Sequence, residues 1–428
     1  MGKRFCFRVR CLPLAYDRNQ DIQKNQKKDN RKMNKIEINR ANGGIPGIGS
    51  NKDRVSGLLF YVPSASWASL TGMSASPFSA STHVVKFGYA EDAESAGLTQ
   101  EAEDWHVKVI AYHVSEFFRM NAKGTLYVGV YERAENAVAR TFAELELLQA
   151  LAGGELRQVG VWDGSSTITS GDVSALQSKA SQLEGEQTPL SLVYVGKTTK
   201  ASALTLTLRE AGRKNVSVCI AQDGDSELFV TGNSGGEAVG CVGLVTGMLS
   251  RAAVNESVAW VERFPSGIDN PALVDGTLLS AMTKTEKDTL DEKGLLFLMT
   301  YPAYAGSYLN DSHTLDAEKS DYRYIERVRT MDKAVRGVYA ALLPKLGGKV
   351  YVNTDDGTLR ADSVAGLENA ANQPLREMEK SGELSGYKAE IDPEQPVLSS
   401  GEVEVVLKQV PTGVMRTIRV KIGFAASV

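Results

Sequence analysis

EVEVVLKQVPTGVMRTIRVKIGFAAS, residues 402–427, alternates apolar and polar side chains in two runs. Val403, Val405 and Leu407 alternate with Glu404 and Lys408 in the first, and Ile418, Val420, Ile422 and Phe424 with Thr417, Arg419 and Lys421 in the second. A period of two belongs to a strand with one buried face. Pro411, Thr412 and Gly413 between the runs supply turn chemistry. The pattern predicts a β-hairpin over 402–427. Two strands alone are marginal in water and leave two unpaired edges. Further strands must complete that sheet, from this chain or from a neighbour.

Around this stretch the composition is that of an ordinary globular protein. The chain has 428 residues, 42% of them hydrophobic and 23% charged, enough for more than one domain and a sizeable core. A net charge of −4 argues against general nucleic-acid binding. Residues 1–40 hold 12 Lys and Arg against 4 Asp and Glu, a local +8 that leaves −12 on the remainder. The segment DRNQDIQKNQKKDNRK at 17–32 has Ile22 as its apolar residue and can bury almost nothing. Residues 1–33 are therefore expected to be a disordered basic extension ahead of the patterned segment that Met33 opens.

Arg8 and Arg10 interrupt any apolar stretch after Lys3 and Arg4, which makes a poor signal peptide. No apolar run approaches the roughly 18 residues of a membrane span. Cys6, Cys11, Cys219 and Cys241 are too few for a disulfide scaffold and read as reduced thiols.

Along the chain, NKIEIN at 34–39 alternates like a short strand, and ANGGIPGIGS at 41–50 reads as a flexible linker. Together 34–57 form an N-terminal arm and linker. Residues 64–82, rich in Ser, Ala and Thr, read as surface loop. From 98 to 320 helical and strand patterns alternate. Helices are expected at 98–120, 135–152, 171–183 and 236–254, and strands at 125–131, 157–162, 191–195, 216–221 and 294–300. In the first helix Ala102, Trp105, Val109, Ile110, Val114 and Phe117 share one side. This order predicts a mixed α/β body over 58–320 with a largely parallel sheet, with room for an inserted variable subdomain. After 320 a long helix (322–343), a strand (349–353), a second helix (361–380) and a Gly- and Pro-punctuated connection (382–396) lead into the hairpin. Residues 321–428 thus form an α+β C-terminal domain whose arm is 402–427.

Motifs that could carry chemistry are incomplete. GNSGG at 232–236 satisfies G-x-S-x-G and resembles the loop around the nucleophilic serine of trypsin-like proteases. Those enzymes are double β-barrels, and the strand–serine–helix elbow of the other hydrolase class needs a later histidine, for which His313 is the candidate. The alternative reading is a helix-capping loop at Ser234. GKTT at 196–199 has Ser191 where a phosphate-binding loop needs glycine. Glu103 with His106 and His113 with Glu116 have the i, i+3 spacing of di-iron helices, but the carboxylates and histidines of a second pair are short. Asp355, Asp356 and Gly357 open like a calcium loop, yet Gly366 or Leu367 falls where the twelfth-position glutamate belongs. The residues predict no catalytic site, metal or cofactor.

The C-terminal third carries a resemblance. DYRYIERVR at 321–329 runs into the long helix ending at Leu346 and Gly347. GTLR at 357–360, helix 363–380, SGEL at 381–384, and Ile391, Asp392 and Pro393 then precede the hairpin. This order resembles the C-terminal region of contractile phage tail sheath proteins, in which an R-x-x-D helix begins the series; Arg329 and Asp332 fill that pattern. Ile45, Pro46 and Gly47 resemble the family's N-terminal entry. YHVSEFFR at 112–119, continuing through Val130, resembles sheath-like proteins of phages and prophages of gut bacteria.

The resemblance implies a non-enzymatic virion subunit assembled in the host cytoplasm. Its partners would be further copies in a helical homopolymer of hexameric rings, an inner tail tube, a baseplate and a tail terminator, with no membrane or nucleic acid. It further implies terminal arms that add strands to neighbours' sheets, here Lys35, Ile36, Glu37, Ile38 and Asn39 at one end and both strands of the hairpin at the other. Such pairing would use main-chain hydrogen bonds, with alternate side chains setting register. A tube-facing charged helix would fall on Glu368, Arg376, Glu377, Glu379 and Lys380, with Arg323, Arg327 and Arg329 next. A serine hydrolase using Ser234 and a monomeric binding module are the alternatives.

Overall fold

The computed structural model describes residues 6–11, 36–39, 52–133, 140–230 and 236–424. In chain order the elements are β1 (Cys6–Cys11), β2 (Ile36–Asn39), β3 (Val55–Val62), α1 (Ser64–Gly72), β4 (Val84–Phe87), α2 (Ala90–Ser95), α3 (Trp105–Met120), β5 (Thr125–Glu132), α4 (Glu144–Leu151), β6 (Gln158–Thr167), α5 (Ser170–Gly185), β7 (Ser191–Lys197) and α6 (Lys200–Thr205). There follow β8 (Val216–Cys219), β9 (Ala221–Asp223), α7 (Glu227–Val230), α8 (Val242–Arg251), β10 (Pro271–Leu273), α9 (Lys284–Glu292), β11 (Leu295–Leu296), β12 (Leu298–Tyr301) and β13 (Tyr304–Leu309). The C-terminal elements are α10 (Ile325–Leu342), α11 (Ala361–Lys380), β14 (Leu384–Glu390), α12 (Val397–Ser400) and β15 (Glu402–Pro411).

The body is built on a seven-stranded sheet in the order β11-β8-β7-β6-β3-β5-β4, parallel except for β4 against β5. Every residue of β3 is buried, as a parallel strand covered on both faces requires. The cover differs between the faces. A Cβ at Gly57 would meet Leu148 of α4, and one at Gly160 would meet Val242 and Thr246 of α8. Helix α8 in turn lies so close to α3 that a Cβ at Gly243 would stand 2.1 Å from the His113 carbonyl oxygen. The expected α/β body with a mostly parallel sheet is present.

The C-terminal region has its own core. Ala334, Val338 and Leu342 of α10 and Leu367, Ala371, Leu375 and Met378 of α11 present apolar stripes at helical spacing. They pack with Leu384 and Ala389 of β14 and with Val403, Val405 and Leu407 of β15.

Several sequence expectations change. α1 occupies part of the presumed loop 64–82, and β14 lies inside the presumed connection 382–396. The expected helix at 98–120 starts at Trp105, where Asp104 caps the backbone N–H groups of His106 and Val107. The strand at 349–353 reduces to a single bridge between Val352 and Leu359. Cys6–Cys11, within the supposedly disordered extension, is a strand.

Candidate assembly interface

The sheet anticipated around 402–427 exists, but with other members. Its order is β14-β15-β1-β2. β14 pairs antiparallel with β15, from Leu384 opposite Pro411 to Glu390 opposite Val406. On the other side of β15 lies β1, parallel, with Phe7, Val9 and Cys11 at the register positions of Val403, Val405 and Leu407. β2 adds outside β1, with Ile36 opposite Phe7 and Asn39 opposite Arg10. Lys35 lies outside the described residues. The near absence of apolar residues that made the N-terminal segment look unfoldable belongs to 17–32; CFRVRC at 6–11 has strand-like alternation of its own.

The two halves of the predicted hairpin part company. Val403, Val405 and Leu407 are buried, while Glu404 and Lys408 sit on the other side of the strand, where Lys408 pairs with Glu390. Residues 412–424 form no ladder. Ile418, Val420 and Ile422 are 70%, 71% and 93% exposed, and Phe424 is fully exposed. The return strand is missing for a simple reason: both edges of β15 are already taken, by β14 and β1.

Side-chain bonds draw the tail elsewhere. The Asn255 amide donates to the Thr412 hydroxyl at 3.0 Å. The Arg416 Nε reaches both oxygens of Asp311, at 3.0 and 2.9 Å. Its Nη2 donates to Glu326 at 2.5 Å and to the Ser312 hydroxyl at 3.2 Å. The guanidinium lies 3.3 Å from the centre of the Tyr324 ring. Burial alone would lower the Arg416 pKa, but Glu326 and Asp311 more than offset it and raise it.

The charged residues expected at a tube surface are not one cluster. Arg376, Glu377, Glu379 and Lys380 are exposed along the last turns of α11, whereas Glu368 is half-buried and accepts from the Ile391 N–H. Arg323 and Arg327 lie over Tyr324, at 4.7 and 5.7 Å from its ring centre. Arg329 is a correction. It is buried and donates to the carbonyls of Ala252 and Ala253, so it ties α10 to the end of α8 and presents nothing to a partner.

Enzymatic readings fare as follows. Ser234 lies outside the described residues. His113 is buried, bonds the Val239 carbonyl, and is pushed down to about 3 by desolvation. Glu116 is engaged by Arg119, so this pair is structural. Asp356 accepts from the backbone N–H and the hydroxyl of Thr358, closing a turn in which Gly357 has φ +72°. Among the described residues no group of His, Cys, Asp and Glu side chains could hold a metal ion.

One constellation was not legible in the sequence. In a sheet where β5 and β6 flank β3, ligands bind beyond the carboxyl ends of the strands at the reversal of order. Here that place holds a closed ion network. Fully buried Asp163 pairs with Arg133 and Arg140, and Glu237 accepts from Arg133 and bonds His106. The buried Ser66 hydroxyl lies 2.9 Å from both His106 Nδ1 and an Asp104 oxygen. The series Ser66–His106–Glu237 binds three segments together, with both Ser66 and His106 buried. Nothing in the spacing of these residues announces their meeting.

Taken together, these features define a mixed α/β protein with a four-stranded C-terminal sheet and an exposed apolar tail beside it. The chain belongs to the DUF2586 family: the profile of the family's N-terminal domain matches residues 33–313, and that of its C-terminal domain matches residues 321–428. It is similar to the "Putative tail sheath protein" of Haemophilus phage HP1 (strain HP1c1), with 31% identity over 151 residues, 33% of this chain. The match spans 38% of that relative's length. Among solved structures, a sheath tail protein from Listeria innocua aligns over 84% of this chain and 95% of its own, with a TM-score of 0.49 and 12% identity. The similarity to the phage HP1 protein supports the resemblance to phage tail sheath proteins. Among the described residues no helix is long and apolar enough to cross a membrane.

Proposed function

We propose that this chain is a structural, non-enzymatic subunit of a contractile phage tail sheath, polymerising as stacked rings around an inner tube and contracting to drive injection. The observation that carries this reading is the segment 417–424. It has the alternation of a strand, yet every apolar side chain on it is exposed while its own sheet has no vacant edge on β15. Such a segment gains most by adding to the sheet of another copy, where main-chain bonds supply affinity and Ile418, Val420, Ile422 and Phe424 set register. Exposed apolar alternation of this kind is otherwise an aggregation hazard.

The N-terminal strands fit the same design. β1 and β2 reach the C-terminal sheet across long separations in sequence, so the pairing made within one chain here can be made between chains in a polymer. Arg376, Glu377, Glu379 and Lys380 are the candidates for tube contact, and baseplate and terminator proteins would cap the polymer. The test is deletion of 417–428. The truncated protein should stay folded by circular dichroism and remain small by light scattering, with no rings or tubes in electron micrographs. Normal polymers from the truncated chain would defeat strand donation.

A further inference from the structure

The acidic socket that holds Arg416 is assembled from two parts of the chain. Asp311 and Ser312 follow β13, whereas Tyr324 and Glu326 stand at the start of α10. Glu326 is buried, and its second oxygen already accepts from Ser312 at 2.6 Å. Removing one partner of a buried ion pair is strongly unfavourable. Arg416 answers both carboxylates at once with a fork and adds a stacked face on Tyr324. The tether is short as well. Pro411 is fixed opposite Leu384 in the sheet, and residues 411–416 can span at most about 18 Å when fully extended.

We propose that Arg416 is the pivot of the C-terminal arm: it remains in the socket of its own subunit within the polymer, so the strand given to a second copy begins at Thr417. The inference rests on the strand-donation reading and adds where the arm is anchored and how far it reaches. Residues 416–424 extend at most about 29 Å, and 416–428 about 43 Å. The accepting edge of the neighbouring copy therefore lies within that distance of the socket. Subunits can turn about this point while the donated strand stays paired.

The test compares the full-length parent with Arg416→Ala, Arg416→Lys and Asp311→Asn by light scattering and electron microscopy, with circular dichroism as the folding control. Arg416→Ala and Asp311→Asn should each lower polymer yield at least tenfold, with little further loss in the double variant, because the clasp acts as a unit. Arg416→Lys keeps the charge but loses the fork and the stack, and should fall between. Mixing folded Arg416→Ala subunits with folded Asp311→Asn subunits should not restore assembly, since each carries a broken clasp. Restoration on mixing would show that the arginine enters a neighbour's socket and would overturn the pivot. Parent-like polymers from all three variants would also overturn it, provided that deletion of 417–428 still blocks assembly. If that deletion has no effect, strand donation itself fails and the pivot falls with it.

Discussion

His113 illustrates how little a motif says before its surroundings are known. The ring sits between Phe60, stacked at 5.8 Å, and Tyr112, and hydrogen-bonds the Val239 carbonyl. Its folded pKa of about 3 lies below the ordinary 6.5, so the unfolded chain binds the extra proton first. The corresponding stability is complete above pH 6.5 and is lost as pH falls towards 3, with a slope of at most about 1.4 kcal/mol per pH unit. Urea midpoints measured from pH 7 to 5 should decline in the parent, and His113→Phe should flatten that decline whatever its absolute cost. Gly243 makes a complementary prediction. The backbone of His113 blocks any Cβ there, so Gly243→Ala forces α3 and α8 apart. The expected loss lies at the upper end of the ~1–3 kcal/mol typical of overpacking, read as a lower denaturation midpoint with an unchanged slope.

At the scale of elements, β15 and the tail after it have opposite economies although their sequences look alike. Leu407 fills the C-terminal core, and Leu407→Ala should cost the isolated subunit about 2–5 kcal/mol. Ile422 touches nothing comparable, so Ile422→Ala should shift subunit stability by no more than about 0.5 kcal/mol. The proposed function predicts that this second substitution nevertheless weakens polymer formation. Thermal melts at low protein concentration and light scattering at high concentration separate the two effects. The charged end of α11 is tested differently. Replacing Arg376, Glu377, Glu379 and Lys380 together with Ala should leave the melting temperature nearly unchanged, because the residues are exposed, and should reduce binding to an inner tube.

For the whole molecule, the joint between body and C-terminal domain is electrostatic as well as apolar. Asp53, just before β3, reaches Lys333 at 2.8 Å and Arg336 at 3.2 Å on α10, and Lys333 also holds Glu383 at 2.6 Å. Burial alone would raise the Asp53 carboxyl; the two cations more than offset this and hold it below the usual carboxylate range. Its contribution is therefore present above about pH 4 and lost as the medium is acidified below that. These residues border a cavity of about 500 Å³ between α10, α11 and the body. Asp53→Ala leaves the buried Arg336 without that partner and should cost on the order of 2 kcal/mol. Limited proteolysis should then cut the joint before either domain unfolds.

Periodicity by itself determined the alternating α/β body, the two long helices after 320 and the inward face of 402–407. Each of these depends on local repeats of apolar residues that survive any packing. Of the four cysteines, Cys219 and Cys241 are buried and free. Other features were decided by contacts distant in sequence. An apolar–polar alternation states that a segment can be a strand but not which edge it joins. The edges of β15 went to β14, from a stretch that reads as a linker, and to β1, from a stretch that reads as a tail. Residues 417–424, with the clearest alternation in the chain, were left unpaired. Arg416, Asp311 and Glu326 lie far apart in the sequence, as do Ser66, His106 and Glu237, and charge complementarity has no period to read. The sequence alone therefore determined which segments could pair. Only the tertiary structure decided which did, because edge occupancy and ion pairing are properties of the assembled surface.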